Sequence, residues 1–234
     1  MELVDGAMSD FAREKLGQHT AYTVEGPGLG PVNRATLMRD PRHLGFTLAR
    51  YKFVSKMLQG KGFVCEIGCH EATGSLVVAA EVGHLTAVDV MQDVIDFCHA
   101  EYDRFGLNIT FEACDVFEGL PPSPASSGRY DAVFCLDVLE HVDPAQEHAF
   151  MSKLVQGIGA EGVAIVGIPS LQSQAYASPV SAVQHINCKT SEELKHFMEG
   201  YFTNVFMFGM NDEVLHTGFS AMCHYIFALG VGPR

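Results

Sequence analysis

The chain is short of basic residues: 15 Lys and Arg stand against 28 Asp and Glu in 234 residues, a formal net charge of −13. With no local cluster of Lys or Arg, such a chain repels a phosphate backbone, which argues against a nucleic-acid substrate. No apolar run approaches the roughly 18 residues of a membrane span, so none is expected. The opening MELVDGAMSDFAREKLG carries acidic residues and lacks the apolar centre of a secretory leader, which makes the cytoplasm the expected location. The cysteines (65, 69, 98, 114, 135, 188 and 223) lack the close CxxC spacing of a zinc or redox site, and most sit inside apolar runs. No repeat or low-complexity tract breaks the chain. Hydrophobic residues make up 47% of it, enough for one sizeable domain with a full core.

From residue 62 onward, short apolar runs alternate with helical patterns: GFVCEIG then SLVVAAEVG; LTAVDV then QDVIDFCHAEYDRFG; NITFEACDVF; YDAVFCLDV then PAQEHAFMSKLVQGI; GVAIVGIPS then SEELKHFMEGY. The runs are rich in Val, Ile, Ala and Phe and barely alternate, as parallel strands covered on both faces do. The expected fold is a doubly wound α/β sheet. Asp143-Pro144 and the capping box Thr190-Ser-Glu-Glu193 mark helix starts. The last two runs, NVFMFGMND and SAMCHYIFALGV, are joined by EVLHTGF, too short for a helical crossover, so the last strand should run antiparallel to its neighbour. Residues 1–45, broken by Gly26-Pro-Gly-Leu-Gly-Pro31, read as a lid or cap, or equally as an arm packed on the core, and residues 46–234 as the cofactor-binding domain.

In an open α/β sheet, ligands lie beyond the carboxyl ends of the strands. Those ends carry Glu66-Ile-Gly68, Asp89, Cys114-Asp115-Val116 and Cys135-Leu-Asp137, the last followed by Val138-Leu-Glu-His141. Asp89 comes 21 residues after Gly68, the separation at which an acidic strand end accepts from two ribose hydroxyls. Asp115 could accept from an exocyclic amine beside that ribose. A dinucleotide loop needs G-x-G-x-x-G, but here that register reads Gly68, His70, Thr73. S-adenosylmethionine has no phosphate, and a side chain at position 70 is more tolerable beside it.

These motifs, VCEIGC, LTAVDV, EACDVF and YDAVFCLDVLEHV, resemble those of class I S-adenosylmethionine-dependent methyltransferases, especially the small-molecule branch that includes the ubiquinone-biosynthesis O-methyltransferases. The resemblance spans roughly residues 40–230. It implies a seven-stranded, mostly parallel Rossmann-like sheet with an antiparallel strand near the C-terminal edge, and methyl transfer as the reaction. It also implies that Glu66 and Gly68 shape the loop, Asp89 holds the ribose, Asp115 faces the adenine and Leu136 lines the cofactor pocket. Cys69, Val90 and Val116 flank those positions and join the cofactor set. The departure is in the loop, where the family's E/D-x-G-x-G-x-G becomes Gly68, His70, Ala72, then Gly74.

An alcohol acceptor needs its proton removed, and histidine is the usual base. His141 follows the fourth strand, and His185 lies in a long segment expected to cross the acceptor site; both are candidate bases, with a structural role the alternative. His216, Tyr22 and Tyr176 are candidate acceptor contacts, His70 a cofactor contact, and Arg50 a partner for the methionine carboxylate. Asp137, Glu140, His141 and Asp143 read as a loop with a helix cap, so no metal is expected. The expected function is transfer of a methyl group to a small molecule, at a hydroxyl of a sugar or secondary metabolite. A nucleotide-dependent oxidoreductase and a binding protein on the same fold are the competing readings. A homodimer is compatible with any of them.

Overall fold

The computed structural model describes residues 28–234, so Tyr22 lies outside the described residues. Two helices come first, α1 (Pro31–Arg39) and α2 (Pro41–Met57), each with proline in its first turn, where the missing N–H costs nothing. Asp40 caps α2 by accepting from Arg42 N. The α/β alternation follows: β1 (Phe63–Ile67), α3 (Ser75–Ala79), β2 (His84–Asp89), α4 (Gln92–Tyr102), β3 (Ile109–Ala113), β4 (Tyr130–Leu136), α5 (Glu147–Gln156) and β5 (Ile158–Pro169). The rest is α6 (Pro179–Gln184), α7 (Ser191–Glu199), β6 (Phe202–Asn211), β7 (Val214–His216) and β8 (Tyr225–Pro233).

These strands form one sheet in the order β3-β2-β1-β4-β5-β8-β6-β7. The first five are parallel, while β8 lies between β5 and β6 and runs antiparallel to both. Eight strands appear rather than the expected seven because the connection after β6 turns back on it, pairing Gly209 with His216. Central strands β2 and β4 are buried almost throughout, whereas β3, at the sheet's edge, alternates between buried and exposed. The core divides across the sheet. On one face α2, α3 and α4 contribute Val54, Val78, Ile95 and Tyr102; on the other, α5 and α7 contribute Phe150, Met151, Leu154, Leu194 and Met198. Among the described residues, no helix is long and apolar enough to cross a membrane.

The start expected at Asp143-Pro144 is a turn instead, in which Asp143 accepts from Ala145 N, and α5 begins at Glu147. The capping box at α7 forms fully: Thr190 Oγ1 accepts from Glu193 N at 3.1 Å, and Glu193 accepts from Thr190 N at 2.8 Å. Replacing Thr190 with Ala should therefore destabilise the chain by about 1 kcal/mol in urea unfolding, while a variant as stable as the parent would show the cap to be replaceable.

Candidate functional site: a two-part cavity where the strand order reverses

The strand order reverses at β1 and β4, and beyond their carboxyl ends lie two cavities whose linings share Gly68. One, of about 230 Å³, is lined by Gly68 to Gly74, Tyr51, Leu136 and Asp137. The other, of about 180 Å³, is lined by Asp89, Val90, Asp115, Val116, Val138 and Phe150 among others. A larger concavity of about 830 Å³ runs along α5 and α7 past Glu147, Lys189 and Phe197. It contains none of the strand-end residues, so position in the fold outweighs size in locating the site.

The loop between β1 and α3 explains its altered glycines. Gly68 has φ +80°, and a Cβ there would lie 2.4 Å from Val138 Cγ2, so only glycine fits. His70 and Ala72 also occupy the left-handed region, with φ of +46° and +54°. They hold the backbone conformation that glycine would adopt without strain, at a cost of roughly 1–2 kcal/mol each. Surrounding bonds hold the turn in place: Asp89 Oδ2 accepts from His70 N at 2.9 Å, Cys98 Sγ donates to His70 O, and Tyr102 Oη donates to Glu71 O at 2.9 Å.

Glu71, which the sequence reading passed over, joins this loop to the N-terminal segment. Its buried carboxylate accepts from Val32 N, Asn33 N and Asn33 Nδ2 at 2.7–2.8 Å, capping the start of α1 from a distant part of the chain. Asn33, in turn, lines the loop-side cavity. The only advance signal was an acidic residue between two positions that should have been glycine.

Asp89 is 8% exposed and accepts from both His70 N and Met91 N, which leaves each oxygen a second lone pair toward the cavity. Asp115 is exposed; one oxygen closes a turn by accepting from Phe117 N, and the other is free. Val116 and Leu136 are buried in the cavity walls, Cys69 is buried at the loop side, and Val90 is exposed at the rim. The half-buried His70 lines the loop-side cavity.

Three candidates stand elsewhere than expected. Arg50 does not line either cavity: its Nη1 pairs with Asp137 Oδ2 at 2.7 Å, and its guanidinium stacks 3.9 Å over the Tyr225 ring. Asp137 can reach it because its own φ of +56° turns the chain back after β4. His216 has both ring nitrogens occupied in its own hairpin, by Asn211 Oδ1 and Gly218 N. Tyr176 is 91% exposed and lines neither cavity.

His141 and His185 do come together, with ring centroids 5.2 Å apart. Beside them lies Glu140, fully buried, with no hydrogen-bond partner for either carboxylate oxygen. Burial pushes its pKa upward, and burial followed by the neighbouring His141 lowers that of His185, so His185 favours the neutral form.

With this fold and site in place, residues 64–162 match the family described as "Methyltransferase domain", and the chain carries a class I S-adenosylmethionine-dependent methyltransferase domain. The chain is similar to the ubiquinone biosynthesis O-methyltransferase of Rickettsia canadensis, 28% identical over 123 residues, or 53% of this chain and 49% of that protein. The corresponding protein of Rickettsia prowazekii is 25% identical over 59% of this chain and 50% of its own length. The chain thus spans about half the length of the curated relatives it matches. Among solved structures, the fold resembles N-methyltransferase NodS from Bradyrhizobium japonicum in complex with S-adenosyl-L-homocysteine, with TM-score 0.58, 20% identity, and coverage of 82% of this chain and 87% of that one. It also resembles the methyltransferase domain of bacterial CtHen1-C, with TM-score 0.64, 17% identity, and coverage of 80% and 99%.

Beneath the loop, Glu66 is fully buried and accepts from Tyr51 Oη at 2.8 Å. Loss of hydration raises its pKa from an ordinary 4.5 to about 7. The folded state therefore holds this proton more tightly than the unfolded chain, and the stabilisation, complete below the unfolded pKa, is lost as pH rises toward 7. Relative to the parent, Glu66→Gln should become more stable by about 3 kcal/mol as pH is raised from 4.5 to 7.5. Urea unfolding across that range measures this, and parallel profiles for the two proteins would contradict it.

Proposed function

We propose that the chain transfers a methyl group from S-adenosylmethionine to a small-molecule acceptor, at a hydroxyl. The observation that carries this reading is the pair of cavities meeting at Gly68, with an acidic strand end in one and a loop of left-handed residues in the other. Their chemistry suits a nucleoside joined to an amino acid. Asp89 offers acceptors for two ribose hydroxyls, Asp115 offers one for an exocyclic amine, and Val116 and Phe150 give flat apolar walls for a base. On the other side, the loop from Gly68 to Gly74 carries His70 where a dinucleotide loop needs the glycine that lets the backbone approach the pyrophosphate, which disfavours the oxidoreductase reading.

S-adenosylmethionine supplies an electrophilic methyl on a positively charged sulfur. The protein's part is to hold an acceptor oxygen in line with the bond that breaks, and positioning of this kind accounts for much of the rate. Asp137 lies at the loop-side cavity, and the turn after it carries His141, with His185 alongside. A neutral His185 is suited to accept the hydroxyl proton as the oxygen attacks. The curated relatives, which are O-methyltransferases by name, support oxygen as the acceptor atom; a sugar or secondary metabolite is the class the sequence suggests.

Titration calorimetry with S-adenosylhomocysteine tests the cofactor assignment. Asp89→Asn, which keeps one oxygen for His70 N but loses the charge, should weaken binding about 10- to 100-fold, the effect of removing a charge-assisted hydrogen bond of roughly 1.5–3 kcal/mol. Binding unaffected by the substitution would overturn the assignment.

A further inference from the structure

Helix α1 reaches the wall of the loop-side cavity through Asn33. The loop opposite fixes this side chain: Nδ2 donates to Glu71 Oε2 at 2.8 Å and to Thr73 Oγ1 at 3.1 Å. A carboxylate only accepts, so these contacts settle which amide atom is nitrogen and which is oxygen. With both Nδ2 hydrogens committed, the group that Asn33 can offer a ligand is Oδ1, to which nothing donates among the described residues. The support is built from both sides. Glu71 also accepts from Val32 N and Asn33 N, and Gly30 leaves the space that its carboxylate occupies, since a Cβ there would collide with it.

The rest of the wall indicates what kind of group suits that oxygen. Among the described residues that line this cavity there is no lysine or arginine, whereas Glu71 and Asp137 both carry carboxylates. Such a wall favours a cationic donor over an anion. The second cavity adjoins at Gly68, so a donor placed here belongs to the end of the ligand away from the sugar held by Asp89. We propose that Asn33 Oδ1 accepts a hydrogen bond from the α-ammonium group of S-adenosylmethionine, which makes α1 part of the cofactor site. The inference rests on the methyl-transfer reading above. It also accounts for the acidic residue in the altered loop: the left-handed residues His70 and Ala72 flank Glu71, Glu71 and Thr73 orient the amide, and the amide meets the amino-acid end of the cofactor. Asn33 takes no part in breaking the carbon–sulfur bond. It selects, because a ligand without the ammonium leaves Oδ1 without its donor once water is displaced.

The test is titration calorimetry on the whole chain with two probes: S-adenosylhomocysteine, and its deamino analogue, which keeps the nucleoside, the sulfur and the carboxylate and lacks only the ammonium. The parent should favour S-adenosylhomocysteine by about 10-fold or more, the effect of losing a hydrogen bond to a charged group. Asn33→Ala should lose most of that preference by weakening S-adenosylhomocysteine alone. The variant keeps the backbone bonds from residues 32 and 33 to Glu71, so its urea unfolding midpoint should stay close to the parent's. Asn33→Leu, similar in size but without the oxygen, should bind the two probes as Asn33→Ala does. A parent without the preference, variants that retain it, or variants that weaken both probes together would overturn the role given to Asn33 while leaving the methyl-transfer reading intact. A parent that binds neither probe defeats that reading itself.

Discussion

Asp89 ties together the two halves of the site. One of its oxygens takes the N–H of His70, in the loop after β1, and the other takes that of Met91, at the start of the segment after β2. Without the first bond, nothing else described at His70 N would compensate the left-handed backbone there, and the turn that forms the wall of the loop-side cavity would lose its anchor. The same carboxylate lines the second cavity. The conformation of the loop and the lining of the second cavity therefore meet in a single side chain at the end of one strand.

Strain and support are distributed in layers around that point. Gly68 is obligatory because Val138 leaves no room for a Cβ, whereas His70 and Ala72 are strained but held by Asp89, Tyr102 and Cys98. Glu71, between them, caps α1, so the first helix is fastened to the loop after β1 itself. Behind the other side of the site, the stacked Arg50–Asp137 pair holds the turn that leads from β4 to Glu140 and His141.

Much of this was legible in the sequence. Buried parallel strands announce themselves as unalternating apolar runs, and their acidic ends fall in order, so the sheet and the positions of Asp89, Asp115 and Leu136 could be read directly. The extra strand could not, because Val214–His216 is three residues long and is defined by its pairing with β6 rather than by its own composition. Nor could the partner of Arg50: a guanidinium before β1 suits any carboxylate, and the one it meets lies 87 residues away in the chain. The cluster around Glu140 was hidden for the same reason. Its third member, His185, is brought in by a long connection whose course no local pattern records.

A crystal structure with S-adenosylhomocysteine bound tests the central claim most directly. The account predicts ribose hydroxyls on Asp89, the adenine between Asp115 and Val116, residues 70 and 72 still left-handed, and the sulfur directed toward Asp137 and the turn that carries Glu140. A ligand bound outside these cavities, or a loop that had to abandon its left-handed turn to admit it, would contradict the account.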